Sequence, residues 1–241
     1  MKSVLLSWSS GKDAAWTLHT LRQDPSVEIV ALLTTFNETA NRVAMHAVRR
    51  EIVEAQAAAA GLPLWPVHIP SPCPNEIYEA QMRLALARAG AEGVTHVAFG
   101  DLFLDDVRRY REARMAGTGI EPMFPLWHQP TDALAEEMIA GGLEATLTCV
   151  DPRQLDRRFA GRKFDRVFTA ELRRLRQESG EPVDACGERG EFHSCVTAGP
   201  MFSAPIAVTT GEVVERDGFV FCDLILSIPP GTARAACARP S

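Results

Sequence analysis

Over the first 150 residues, short β-branched runs alternate with longer stretches of helical periodicity, the pattern of βαβ units wound around a parallel sheet. Five runs read as strands: residues 3–7 (SVLLS), 27–35 (VEIVALLTT), 64–69 (LWPVHI), 94–99 (VTHVAF) and 143–150 (LEATLTCV). Helical spacing covers 13–22, 43–60, 75–89, 104–115 and 131–140. Gly61, Gly90, Gly117 and Gly141 stand at or near the ends of the last four, where a helix C-cap favours glycine. Beyond Val150 the pattern changes. A basic helical stretch (164–178) leads into the glycine-rich segment 186–200, and 206–210 with 213–226 reads as a hairpin turning near Gly211. Residues 231–241 carry turn formers without periodicity and are expected to be a mobile tail. The expected architecture is therefore α/β: a parallel five-stranded sheet with helices on both faces over 1–126, then a smaller α+β domain over 127–230.

Composition narrows the function classes. With 241 residues, 46% hydrophobic and 23% charged, the chain can bury a real core, which excludes disordered and low-complexity scaffolds. Lys and Arg total 25 against 31 for Asp and Glu, a net charge of -6, so a nucleic-acid backbone is not an expected partner. No apolar run reaches the roughly 18 residues of a membrane span, and MKSVLLSWSSGKD turns polar too early for a secretory leader. A cytoplasmic location without membrane association is expected. The six cysteines form no CxxC pair, which favours reduced thiols over a disulfide framework or zinc ribbon.

The most informative residues are Ser7 to Asp13 (SWSSGKD), directly after a strand and before a helix. Such a turn aims free backbone N–H groups and the positive end of a helix dipole at one point, suited to a phosphate. Ser9 and Ser10 add hydroxyl donors, Gly11 permits close backbone approach, Lys12 brings positive charge, and Asp13 caps the helix or helps to hold a metal. A polar turn with a helix cap is the plain alternative. A Walker A loop is excluded, because Leu6 occupies its first glycine position and Asp13 follows Lys12. Gly100-Asp101 stands at the expected carboxyl end of a strand, where open α/β sheets bind ligands, so Asp101 is a candidate for Mg²⁺ or a ribose, or simply a helix cap.

SWSSGKDAAWTLH resembles the pyrophosphatase loop (PP-loop, SGGKDS) of the adenine-nucleotide α-hydrolase superfamily. FGDLFLDDVRRYRE, FPLW, ATLTCVD, FAGRKFD and CGERGEFHSCVTAGPMF are similar to segments of the diphthine–ammonia ligase (diphthamide synthase) ATP-binding family, its bacterial branch, in order from Ser7 to Phe202. Two positions depart from the loop: Ser10 replaces its second glycine and Ala14 its final serine.

The resemblance implies ATP as nucleotide and Mg²⁺ as cofactor. It also implies an AMP-forming ligase that adenylates a small-molecule or protein-borne carboxylate and transfers ammonia to it. Ser7, Ser9, Ser10, Gly11, Lys12, Asp13, Gly100, Trp127 and Arg162 are then the nucleotide-binding candidates, with Trp127 stacking on a base and Arg162 reaching phosphate or carboxylate. Asp13 and Asp101 are the metal candidates. Lys12 neutralises the leaving pyrophosphate, and Glu188 and Glu191 are general-base or ammonium-holding candidates. Each has a plain alternative: a packed aromatic at a domain joint for Trp127, a surface charge run for Arg162. Met45-His46 matches a family histidine only loosely, and Cys186, His193 and Cys195 lack zinc-knuckle spacing. A homodimer is left open. A nucleotide-binding regulator without turnover and a PP-loop tRNA or sulfur-transfer enzyme are the competing classes.

Overall fold

The computed structural model describes residues 1–227 apart from residue 181. In chain order the elements are β1 (Lys2–Ser7), α1 (Lys12–Leu21), β2 (Val27–Asn37), β3 (Arg42–Val43), α2 (Arg50–Ala60), β4 (Leu64–Ile69), α3 (Asn75–Ala91), β5 (His96–Ala98), α4 (Asp105–Met115) and β6 (Glu121–Met123). They continue with α5 (Thr131–Ala140), β7 (Glu144–Val150), α6 (Arg166–Ser179), β8 (Phe192–Ala198), β9 (Val208–Arg216) and β10 (Phe219–Leu226).

Five parallel strands stand in the order β4-β2-β1-β5-β6, and β3 adds a short antiparallel pair at the end of β2. In β1, Val4, Leu5 and Leu6 are all 0% exposed, as a central parallel strand buried on both faces requires. Val4 and Leu6 pack with α1 and α2, while Leu5 points to the opposite face, against Ala85, Leu86 and Ala89 of α3 and Met115 of α4. Helices thus cover both faces. Chain winding reverses between β1 and β5, and the crevice outside their carboxyl ends is where such sheets take ligands.

Four readings of the sequence are corrected. Residues 143–150 do form a strand, β7, but it lies in a second sheet, antiparallel throughout, ordered β8-β7-β10-β9. The fifth parallel strand is β6, whose three residues are too few to show a period. The helix read over 43–60 begins at Arg50, because Met45 (φ 66°) and Ala47 (φ 55°) adopt left-handed backbone that no helix can contain. Helix α3 continues through Gly90, and the left-handed glycine that follows it is Gly93 (φ 81°). The hairpin turns not at Gly211, which lies within β9, but at Asp217-Gly218 with φ of 54° and 79°, the pair a tight I′ hairpin turn demands. The expected tail, 231–241, lies outside the described residues.

One hydrophobic cluster spans both sheets. Leu6 and Leu18 of the parallel half share it with Leu147, Phe168, Phe192 and Leu224 of the antiparallel half. No helix among the described residues is long and apolar enough to cross a membrane.

Candidate functional site

Strand β1 ends at Ser7 and the chain turns through Trp8 to Gly11 into α1. Trp8 anchors the turn: its N–H donates to the Leu33 carbonyl (2.7 Å) and its Nε1 to Gln56 Oε1 (2.9 Å). Gln56, wholly buried, also donates through Nε2 to the carbonyls of Ser10 (3.2 Å) and Val196 (2.7 Å). Strand β8 lies across the loop. Val196 N donates to Ser10 O (2.9 Å), Lys12 N donates to Ser194 Oγ (3.2 Å), and a Cβ on Gly11 would sit 3.2 Å from the Ser194 carbonyl. Ser9 Oγ accepts from Gly11 N (3.4 Å), and no side chain caps α1.

Ser10, at the position of the second PP-loop glycine, has φ 70°. Its hydroxyl is fully buried beside the Cys195 thiol and has no hydrogen-bond partner among the described residues. Ala14 is 4% exposed within the hydrophobic cluster, so a serine there would face the core. Left-handed backbone costs a non-glycine residue about 1–2 kcal/mol, and glycine returns about 0.4–1 kcal/mol of that through unfolded-state entropy. Ser10→Gly is therefore expected to raise stability by about 0.5–1 kcal/mol. Thermal unfolding checks it: a lower midpoint would mean that the hydroxyl contributes more than the strain costs.

Three loops converge at the carboxyl ends of β1 and β5. Lys12, 2% exposed, donates from Nζ to Asp13 Oδ2 (2.8 Å) and Oδ1 (3.1 Å) and to the Cys186 carbonyl. The ammonium lies 5.3 Å and 5.7 Å from the rings of Phe192 and Phe164, favourable cation–π distances. Burial works against its charge, but Asp13, the Cys186 thiol and Glu188 outweigh burial, so its pKa is raised. Burial raises the Asp13 carboxyl against the pull of Lys12. Glu188 reaches over from the Cys186–Phe192 loop, and its Oε1 accepts from the amides of Leu102 (2.7 Å) and Phe103 (3.4 Å). Burial and the nearby Asp13 push Glu188 up to about 7, against the Leu102 hydrogen bond and Lys12. Gly100 is required here by close packing: a Cβ would lie 2.9 Å from the Asp13 carbonyl carbon.

The metal candidates are already paired. Both Asp13 oxygens hold Lys12, and Asp101 takes a bidentate contact from Arg111, Nε to Oδ2 at 2.5 Å and Nη2 to Oδ1 at 3.0 Å. Among the described residues no three ligand groups come together for an ion. These carboxylates do not by themselves fit a preformed Mg²⁺ site.

The remaining expected residues are placed as follows. Ser7 ends β1 opposite Leu33. Glu191, 1% exposed, accepts from the amides of Asp184 (2.7 Å) and Arg189 (3.0 Å), so it clamps its own loop. Trp127 is half-buried, packed against Phe124 and His128 with the Arg108 guanidinium 4.8 Å from its ring. The His128 amide donates to the Leu102 carbonyl (2.7 Å), which brings this corner to the Gly100 turn. Arg162 faces α6, 3.5 Å from Glu171, and among the described residues no ion pair joins it to the three loops. Gln56, Ser194 and Asp184 were not legible as site residues. Asp184 Oδ1 accepts from the amides of Cys186 (2.8 Å) and Glu188 (3.2 Å), and its Oδ2 from Thr131 Oγ1 (2.6 Å). Only the isolated Gln56 within the alanine-rich face of α2 gave a signal, a lone polar residue among apolar ones.

A model of the diphthamide synthase N-terminal domain matches residues 1–119, and one of the C-terminal domain matches 130–224. The chain belongs to the diphthamide synthase family. Similar proteins include diphthine–ammonia ligases of Bos taurus and Homo sapiens, 27% and 28% identical over 149 residues. These matches cover 61% of this chain and 53% of each relative. The enzyme of that name from Schizosaccharomyces pombe is 29% identical over 106 residues, 44% of this chain and 17% of its own. The chain thus spans about half the length of the mammalian relatives it matches. The two matched family domains are the halves that meet at Lys12, with Asp13 supplied by one and the Cys186 carbonyl by the other.

Proposed function

We propose that this protein is an ATP-dependent ligase of the diphthine–ammonia ligase kind, which activates a carboxylate as its adenylate and passes the acyl group to ammonia. The observation that carries the reading is the meeting of the loop after β1, the Gly100 turn and the Cys186–Phe192 loop at the switch point of the sheet, with Lys12 and Glu188 in one charged cluster. Family membership supports it.

In the proposed reaction a carboxylate oxygen attacks the α-phosphorus of ATP, the α–β P–O bond breaks and pyrophosphate leaves. Ammonia nitrogen then attacks the acyl carbon, the C–O bond to AMP breaks, and one proton is lost from nitrogen. Lys12, released from Asp13 as phosphate enters, offsets the charge of the departing pyrophosphate. Loop groups of Ser7, Ser9 and Gly11 and the helix dipole of α1 surround the same anion. Glu188, near neutrality in its proton affinity, accepts the proton from nitrogen. The half of the chain that follows residue 126 closes over the loop. Magnesium accompanies the nucleotide as reagent, and no step here relies on a protein site for it.

A nucleotide binder without turnover is favoured by one observation, the engagement of Lys12 by Asp13 and the Cys186 carbonyl. Sulfur transfer by a pair of reactive thiols has little support among the described residues: Cys149, Cys186, Cys195 and Cys222 are buried and burial raises all four thiols, which leaves Cys73 as the one partly exposed cysteine there. The deciding experiment is calorimetric titration of Mg-ATP and AMP, followed by assay of pyrophosphate release with a panel of carboxylates and ammonium. Saturable ATP binding with carboxylate-dependent pyrophosphate release is expected. Binding without release for every carboxylate would leave the binder reading standing.

A further inference from the structure

A cleft of about 500 Å³ lies beside the phosphate loop, apart from the Lys12–Glu188 cluster, and is lined from both halves of the molecule. That volume suits a small organic molecule. Ile69 at the end of β4, Tyr78 of α3 and Phe219 and Phe221 of β10 give it a mostly apolar wall. His193 of β8 also lines it and leads to the loop: its ring centroid is 4.4 Å from that of His46, whose Nε2 lies 3.4 Å from the point a Gly11 Cβ would occupy. Left-handed Met45 and Ala47 flank His46 and hold it there, backbone strain of the kind that gathers at ligand sites.

The charge of the cleft departs from that of the chain. The molecule carries a net charge of -6, yet the charged residues lining the cleft are Arg42, Arg216 and Asp217. Arg42 is committed to Asp223 Oδ1 and the Ala47 carbonyl, both at 2.7 Å. Arg216 is freer: its side chain is 57% exposed and approaches Asp217 only to 3.7 Å. The aromatic wall could suggest a cage for a quaternary ammonium. Those rings already carry cations, however, with Arg216 5.0 Å over Phe221 and Arg153 5.5 Å over Phe219, so a cationic ligand would meet like charge.

We propose that this cleft binds the acceptor, and that the acceptor is a small organic anion, a carboxylate on an apolar body whose charge is met by Arg216. Its role as acceptor rests on the ligase reading; the anion site itself does not. Arg216 draws the anion into the cleft, and the packed rings of His193 and His46 stand between the cleft and the loop at Gly11.

Two probes with one naphthyl body separate the possibilities: 1-naphthaleneacetate, an anion, and (1-naphthylmethyl)trimethylammonium, a cation. Fluorescence titration of the full chain is expected to show saturable binding of the anion and at least about tenfold weaker binding of the cation. Arg216→Glu is expected to weaken the anion by about tenfold or more. Val213→Glu, on β9 and outside the cleft, is expected to bind it as wild type does, and thermal unfolding confirms that both variants fold. Equal binding of both probes, no loss in Arg216→Glu, or displacement of the anion by saturating Mg-ATP would overturn the proposal, the last by giving the cleft to the nucleotide. Anion binding in a protein that fails to bind ATP would remove the ligase reading and leave the anion site. ATP binding with no anion binding would do the reverse.

Discussion

Lys12→Ala is expected to abolish measurable Mg-ATP binding and to lower the thermal midpoint by roughly 5–10 °C. Both effects have one origin. Lys12 is buried between two rings and holds Asp13 and the Cys186 carbonyl, so removing its ammonium strands a half-buried carboxylate and an unpaired carbonyl. Breaking such a pair costs about 2–3 kcal/mol for a partly solvated partner like Asp13, and each kcal/mol moves the midpoint by about 2–4 °C in a chain of this size. Loss of the charge-assisted phosphate contact removes roughly 1.5–3 kcal/mol of affinity, a factor of ten or more. Lys12→Ala/Asp13→Asn separates the two effects, because it restores much of the stability without restoring nucleotide affinity. A single variant that loses stability but binds ATP as tightly as wild type would show that the ammonium never leaves Asp13 for phosphate.

Glu188→Gln is expected to flatten the pH dependence of stability between about pH 5 and 7. The unfolded carboxyl loses its proton near 4.5, and the folded one keeps it to about 7. Folded protein therefore binds more protons in that window, and wild-type stability falls as pH rises through it. The neutral amide has no such fall but keeps an oxygen for the Leu102 amide. At pH 8 the variant should be the more stable by on the order of 2 kcal/mol, with the difference vanishing below pH 4. Parallel melting curves across pH would show that Glu188 does not titrate there. In the assay of amide formation, the same variant should bind ATP within about threefold of wild type and lose 10²–10⁴-fold in rate, roughly the share that proton transfer supplies.

Much of the parallel half was legible because its signals are local. An apolar run before SSGKD, short β-branched runs and glycines near helix ends each depend on a few neighbouring residues. What escaped depended on distance. The run EATLTCV is buried at six of seven positions, and such a run reads alike in a parallel strand and in the middle of an antiparallel sheet, so its partner could not be known. Strand β6, Glu-Pro-Met, earns its place only by pairing with β5. Asp217-Gly218 carries the turn signal in two adjacent residues, whereas Gly211 packs within β9. At the site, the structure brings Lys12, Gly100 and Glu188 together. Glu191 and Ser10 turned inward, because side-chain direction in a loop follows from tertiary hydrogen bonds that spacing does not encode.

The strand laid across the phosphate loop also sets how the molecule can be taken apart. Ser10 and Lys12 take backbone and side-chain partners from β8, and Lys12 takes its carbonyl from residue 186. A fragment ending between residues 119 and 130 would keep the loop sequence but lose every one of those partners, along with half of the shared core. The nucleotide loop is thus property of the whole chain, and halves exchanged between family members would need matched surfaces at β8 to rebuild it.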